Sequence, residues 1–184
     1  NSQNFALNDA VSGDLVTTMA AATLQDAIEA VESAERAFVT WSQTGPSLRR
    51  DILLKAADIL EARAEEFTKI MAAEVFAAEG WPQFNVFLTT QCLRQAASLT
   101  SRISGETIPT DRPGVFSMSV RQPAGVVLSM APWNAPGVLG MRSLAYPLAC
   151  GNTVIFRASE ASPRTHQFLV EVLHEAGTPP GVVN

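Results

Sequence analysis

Two cysteines, two histidines and a single tyrosine are all that 184 residues hold of those types. Cys92 and Cys150 stand far apart in apolar helical settings, so the chain has no disulfide framework and reads as a cytoplasmic protein with reduced thiols. A reactive thiol needs an electropositive, accessible environment; neither cysteine has a histidine near it in sequence, and both read as structural. His166 and His174 share one amphipathic helix with no third ligand in view, which argues against a metal site. Basic residues are scarce too: 13 Lys and Arg against 18 Asp and Glu give a net charge of −5 with no basic cluster. That excludes the electrostatic footprint of a nucleic-acid or anionic-membrane binder. No apolar run reaches the roughly 18 residues of a membrane span, and the opening residues show no basic-then-apolar leader pattern. Paired carboxylates such as Glu65 and Glu66 read as a wet helix face. Also missing is a G-x-G-x-x-G turn, in which amides at a helix start cradle pyrophosphate. Gly137-x-x-Gly140 is the nearest approach, so a dinucleotide bound here is held in some other manner.

What is present suits a globular α/β chain, with 47% apolar and 17% charged residues. Residues 1–22 carry turn signals at Asn8-Asp9 and Ser12-Gly13-Asp14, predicting an irregular or hairpin lead-in. Thr23 and Asp26 form a capping box that opens a helix with the stripe Leu24, Ile28, Val31, Ala34, Phe38 and Trp41. Ser47 is expected to cap a second helix striped by Leu48, Ile52, Leu53, Ala56, Ile59 and Leu60. A third helix is predicted over 65–78, and a fourth from Pro82 to about Ile103. Residues 105–113 break the pattern. In 115–120, Phe116, Met118 and Val120 alternate with Ser117 and Ser119, predicting a half-exposed antiparallel strand in a protruding hairpin.

After Pro123 the order changes to strand 126–130, helix 137–149, strand 153–156, helix 163–176 and a third strand at Val182-Val183. Crossovers of this length enforce parallel, right-handed pairing, so the fold class is α/β. Helices and an antiparallel hairpin precede the first βαβαβ half of a Rossmann-like doubly wound sheet. A sheet of three strands with a bare edge is an unusual natural ending, and the chain reads as a fragment. Ligands of such sheets bind beyond the carboxyl ends of the strands, which singles out Trp133-Asn134 and Arg157-Ala158-Ser159-Glu160. Asn134 reads either as a turn residue or as an amide donor to a developing oxyanion. Trp133 by itself reads as core. Arg157 and Glu160 are either a solvated ion pair or a ribose clamp, since a carboxylate accepts from two adjacent hydroxyls and a guanidinium donates to them. A carboxylate there would repel a 2′-phosphate, favouring NAD over NADP.

Pro132-Trp133-Asn134-x-Pro136, Pro147-Leu148-Ala149-Cys150-Gly151-Asn152-Thr153-Val154, Ser159-Glu160-x-x-Pro163 and Glu175-Ala176-Gly177-x-Pro179-x-Gly181-Val182-Val183-Asn184 together resemble the aldehyde dehydrogenase superfamily over nearly the whole chain. Within it the chain looks most like the aromatic-aldehyde branch of salicylaldehyde, benzaldehyde and vanillin dehydrogenases. The resemblance implies oxidation of an aldehyde to its acid, through attack by a cysteine thiolate and hydride transfer to NAD(P). It implies that Asn134 stabilises the oxyanion, that Met130, Ala131, Pro132 and Trp133 line the nicotinamide side, and that Arg157, Ser159 and Glu160 hold the adenosine ribose. Arg157 replaces the usual Lys, which keeps a donor but changes its reach. Trp81, Phe84, Leu139 and Arg142 are the implied substrate-lining residues, suited to a flat aromatic aldehyde with a polar substituent. The resemblance further divides the chain into helical residues 1–104 of the cofactor domain, an oligomerisation arm over 105–123, and the start of the NAD-binding core over 124–184. It implies a homodimer or homotetramer at full length. Neither Cys92 nor Cys150 matches the family's nucleophile, and the general-base Glu is absent too, so the 184-residue chain alone is expected to be inactive. The alternative is a non-catalytic truncated homologue acting as a nucleotide-binding or oligomerisation module.

Overall fold

The computed structural model describes residues 3–9, 11–78 and 80–184. Of the predicted lead-in, Asn1, Ser2 and Ala10 lie outside the described residues; the rest forms a hairpin of β1 (Asn4–Asn8) and β2 (Leu15–Ala20). At α1 (Leu24–Trp41) the capping box is complete: the Thr23 hydroxyl accepts the Asp26 amide and the Asp26 carboxylate accepts the Thr23 amide at 2.8 Å. The predicted α1 stripe is not the buried face. Leu24, Ile28 and Val31 are exposed, whereas Ala34 and Trp41 are buried, and the Ala34 carbonyl accepts the Thr153 hydroxyl at 3.1 Å. Small residues let α1 lie close on the sheet, and that contact rather than the wide stripe sets its orientation.

In α2 (Pro46–Ala62) Gly45 occupies the cap and Pro46 the first turn, so Ser47 is not the cap. A proline there has no amide to leave unpaired and already has the helical φ. Leu48 is exposed, while Ile52, Leu53, Ala56 and Leu60 are buried as read. Helix α3 (Ala64–Val75) stops three residues short of expectation at Phe76, whose φ is 48°. Helix α4 (Trp81–Leu99) continues into a 3-10 turn, Thr100–Arg102.

Within 105–123, β3 (Thr107–Ile108) pairs with β4 (Ser117–Met118), antiparallel. The half-exposed strand expected over 115–120 shrinks to these two residues, and Phe116, Met118 and Val120 are all exposed. Beyond it come β5 (Val126–Met130), α5 (Pro136–Ala149), β6 (Thr153–Arg157) and α6 (Pro163–Ala176). Strands β5 and β6 are parallel, and Val154 bridges in parallel to Val183, with the Val154 amide donating to Val182 at 2.8 Å. Strand β5 is less buried than its apolar run suggests, with Leu128 and Met130 exposed.

The core lies among α2 to α6, where Leu53, Leu60, Phe67, Met71, Leu93, Met141, Leu144 and Phe168 are all but inaccessible. Phe67 meets Phe168 edge to face at 5.5 Å, and the Arg63 guanidinium covers Phe168 at 4.3 Å. Arg63 also pairs with Glu66 at 2.9 Å and Glu175 at 3.0 Å, tying the α2–α3 junction to α6. Among the described residues no helix is long and apolar enough to cross a membrane.

Candidate active site

The register of β5 against β6 builds the site. Val126 faces Thr153 and Met130 faces Arg157, so the two strands end level and the loops 131–135 and 158–162 leave side by side. Asn152 fixes that register at the other end: its Oδ1 accepts the Ala124 and Gly125 amides at 2.6 and 3.0 Å, and its Nδ2 donates to the Pro147 carbonyl at 3.2 Å.

In the first loop Ala131 and Ala135 are buried and anchor it, leaving Pro132, Trp133 and Asn134 exposed at the tip. Trp133 is 55% exposed, which removes it from the core that residue type alone suggested. The Asn134 carbonyl accepts the Trp81 indole N–H at 3.2 Å. Trp81 leans on Phe84 with ring centroids 5.8 Å apart, so an aromatic pair stands directly beside Asn134. Leu139 is half-buried and Arg142 exposed on α5, one helical turn apart. The structure thus joins Trp81, Phe84 and Asn134 by contact, and places Leu139 and Arg142 on the helix that follows Asn134.

In the second loop Arg157 and Glu160 meet at 3.1 Å, both largely exposed. The Glu160 carboxyl is held below its ordinary range, first by its own backbone amide and then by the Arg157 charge, so it stays ionised and free to accept hydroxyl donors. Ser159 is buried and faces inward: its amide donates to His166 Nδ1 at 3.0 Å and its hydroxyl accepts the Ala161 amide at 3.3 Å. A groove of about 450 Å³ runs from this loop to the β1–β2 hairpin, lined by Phe5, Met19, Arg157, Ser159 and Glu160, within the usual size of a small-ligand site. A larger cleft of about 650 Å³ holds Arg49, Arg121 and Cys150, but Pro123 and Cys150 precede β5 and β6, which puts it at the amino ends of the strands. Strand-end geometry favours the smaller groove as the ligand crevice.

Gly137 and Gly140 lie inside α5 and serve packing. A Cβ on Gly137 would stand 2.8 Å from Phe67 Cζ, and one on Gly140 2.7 Å from Leu169 Cδ1. Cys92 is buried and its thiol is pushed up by that burial, whereas Cys150 is exposed, contrary to its expected apolar setting. No cluster of three metal-ligating side chains occurs among the described residues. His166 is fully buried and His174 exposed, so the two histidines do not share a site.

Glu74 was not visible as a site residue in the sequence. From α3 its carboxylate accepts the Arg164 and Thr165 amides at 2.7 Å each and the Thr165 hydroxyl at 2.6 Å, capping α6 from another helix. A lone acid in the run Met71-Ala72-Ala73-Glu74-Val75-Phe76 is the one signal that pointed to it.

The model of the aldehyde dehydrogenase family matches residues 1–184. The chain is 51% identical over 182 residues to a vanillin dehydrogenase of Pseudomonas sp. (strain HR199 / DSM 7063), covering 99% of this chain and 38% of that protein. It superposes on the crystal structure of a salicylaldehyde dehydrogenase from Pseudomonas putida G7 complexed with salicylaldehyde with a TM-score of 0.98, at 49% identity over 99% of this chain and 38% of that one. A NAD-dependent benzaldehyde dehydrogenase from Corynebacterium glutamicum matches with a TM-score of 0.94 at 27% identity, over 99% of this chain and 40% of that one. The chain therefore spans a little over a third of the length of the relatives it matches.

Proposed function

Because the chain belongs to the aldehyde dehydrogenase family, we propose that it supplies the cofactor clamp and the oxyanion donor of an NAD(P)-dependent enzyme that oxidises an aromatic aldehyde to its carboxylic acid. The observation that carries this reading is the level ending of β5 and β6, which brings Asn134 and the Arg157–Glu160 pair to one edge. The donor set fits an adenosine ribose: an ionised carboxylate and a guanidinium stand exposed beside a groove of suitable size. When bound there, NAD(P) would supply the hydride acceptor. The side-chain amide of Asn134 donates to the substrate oxygen as it gains charge, and the Trp81 indole holds the backbone from which that amide projects. Met130, Ala131, Pro132 and Trp133 form the strand end and loop against which the nicotinamide side is placed. Glu160 favours NAD over NADP, because its charge opposes a 2′-phosphate.

Trp81, Phe84, Leu139 and Arg142 are assigned to the substrate wall, where flat rings and a guanidinium suit an aromatic aldehyde with a polar substituent. Identity of about half to vanillin and salicylaldehyde dehydrogenases supports that class. The exposed Ile108, Val115, Phe116, Met118 and Val120 of the arm over 105–123 support assembly into a homodimer or homotetramer at full length. The same reading takes 1–104 and 124–184 as parts of one cofactor domain and places the enzyme in the cytoplasm.

The test uses the full-length enzyme carrying this sequence. Asn134→Ala should lower kcat about 100-fold or more with KM for NAD little changed. Trp81→Ala and Arg142→Ala should reduce kcat/KM for salicylaldehyde more than for an aliphatic aldehyde; equal losses on both substrates would refute the aromatic wall.

A further inference from the structure

We propose that His166 is a positioning residue for the cofactor clamp: its imidazole accepts the Ser159 amide through Nδ1 and fixes the backbone that presents Arg157 and Glu160. The inference rests on the reading of that pair as a ribose clamp. His166 is fully buried, one turn into α6. Its ring stands edge-on to Phe156 at 5.1 Å, the residue before Arg157. On the other side Gly140 makes room, since a Cβ there would come within 3.1 Å of His166 Cδ2. The residues just before His166 are themselves held by Glu74 through the Arg164 and Thr165 amides. A continuous set of contacts therefore runs from α3 through α6 and the imidazole into the loop.

Ser159 is the centre of that loop. Besides its amide bond to His166, its hydroxyl accepts the Ala161 amide and its carbonyl accepts the Ser162 amide at 3.2 Å. Glu160 is the next residue, so its direction follows from the Ser159 backbone. An acceptor at Nδ1 requires the neutral tautomer with the proton on Nε2, and burial maintains that form by lowering the imidazole to about 4. Without the acceptor, a buried amide is left unpaired, and the loop relieves that cost by turning Ser159 outward and moving Glu160 with it.

The experiment measures NAD affinity and steady-state kinetics of the full-length enzyme for His166→Leu, His166→Asn, His166→Gln and Glu160→Gln. His166→Leu should raise Kd and KM for NAD about tenfold, with kcat at saturating NAD and KM for the aldehyde unchanged. His166→Asn, whose Oδ1 reaches the place of Nδ1, should restore wild-type values, whereas His166→Gln, whose amide extends toward the place of Nε2, should not. Should His166→Leu fail to fold, the Asn and Gln variants decide the matter, and equal NAD affinities for those two would overturn the proposal. A uniform loss of kcat, NAD binding and aldehyde binding that Asn does not rescue would overturn it as well, by showing a general structural role. Glu160→Gln separates the two claims. If it weakens NAD binding while His166→Leu does not, the clamp stands without His166; if it leaves NAD binding intact, the clamp reading itself fails.

Discussion

Burial gives His166 a second consequence, for stability. An unfolded chain binds a proton on this imidazole near pH 6.5, whereas the folded protein holds it at about 4, because desolvation disfavours the charged ring and the Pro136 backbone opposes this only in part. The folded pKa is the lower one, so between these values the unfolded state binds more protons. The stabilisation is complete above about pH 6.5 and is lost as pH falls toward 4, amounting to about 3 kcal/mol in the limit. Denaturant unfolding from roughly pH 8 down to pH 4.5 should show wild type losing stability relative to His166→Asn, which does not titrate there. Parallel curves for the two proteins would show that the imidazole is not held neutral by the fold. Nothing in the residue's sequence position announces this. The sequence argues only against a metal site at this histidine, and Ser159, Phe156 and Gly140 around it show what it does.

At the scale of elements, α5 connects the two halves of the site and its glycines set the spacing. Gly140→Ala would gain about 1 kcal/mol of helix propensity, but the new methyl would stand 2.7 Å from Leu169 Cδ1 and 3.1 Å from His166 Cδ2. Overpacking costs typically about 1 to 3 kcal/mol, and here both neighbours are fully buried. The net expectation is a lower unfolding midpoint, together with weaker NAD binding as His166 is pushed toward Ser159. A midpoint equal to wild type or above it would refute the close packing of α5 on α6. The G-x-x-G spacing was thus legible in the sequence, but its purpose was not, because a cradle for phosphate and a seat for a helix draw on the same lack of a Cβ. The parallel pair after Pro123 was legible for a firmer reason. Apolar runs and crossover length agreed, and the strands fall within a residue of the predicted bounds. The α1 stripe misled because periodicity reports an apolar face without saying what covers it. Ala34 and Trp41 find the sheet and the core, while Leu24, Ile28 and Val31 have no comparable cover in this chain.

For the whole molecule the decisive question is whether either thiol can reach the loop that carries Asn134, the proposed oxyanion donor. Cys92 lies within the helical core on α4, and its burial keeps it a thiol rather than a thiolate. Cys150 is exposed, but it stands before the first residue of β6, in the cleft with Arg49 and Arg121. The site forms at the other end of that strand. The five residues of β6 put its two ends about 13 Å apart, far beyond the roughly 3.5 Å that attack on a carbonyl carbon requires. A polypeptide of these 184 residues, given NAD and salicylaldehyde, is therefore expected to form no NADH, even where it binds the nucleotide. Following absorbance of NADH with wild type and Cys150→Ser checks this directly. Turnover that the substitution abolished would mean that Cys150 reaches Asn134, and that the separation of the two strand ends described here is wrong.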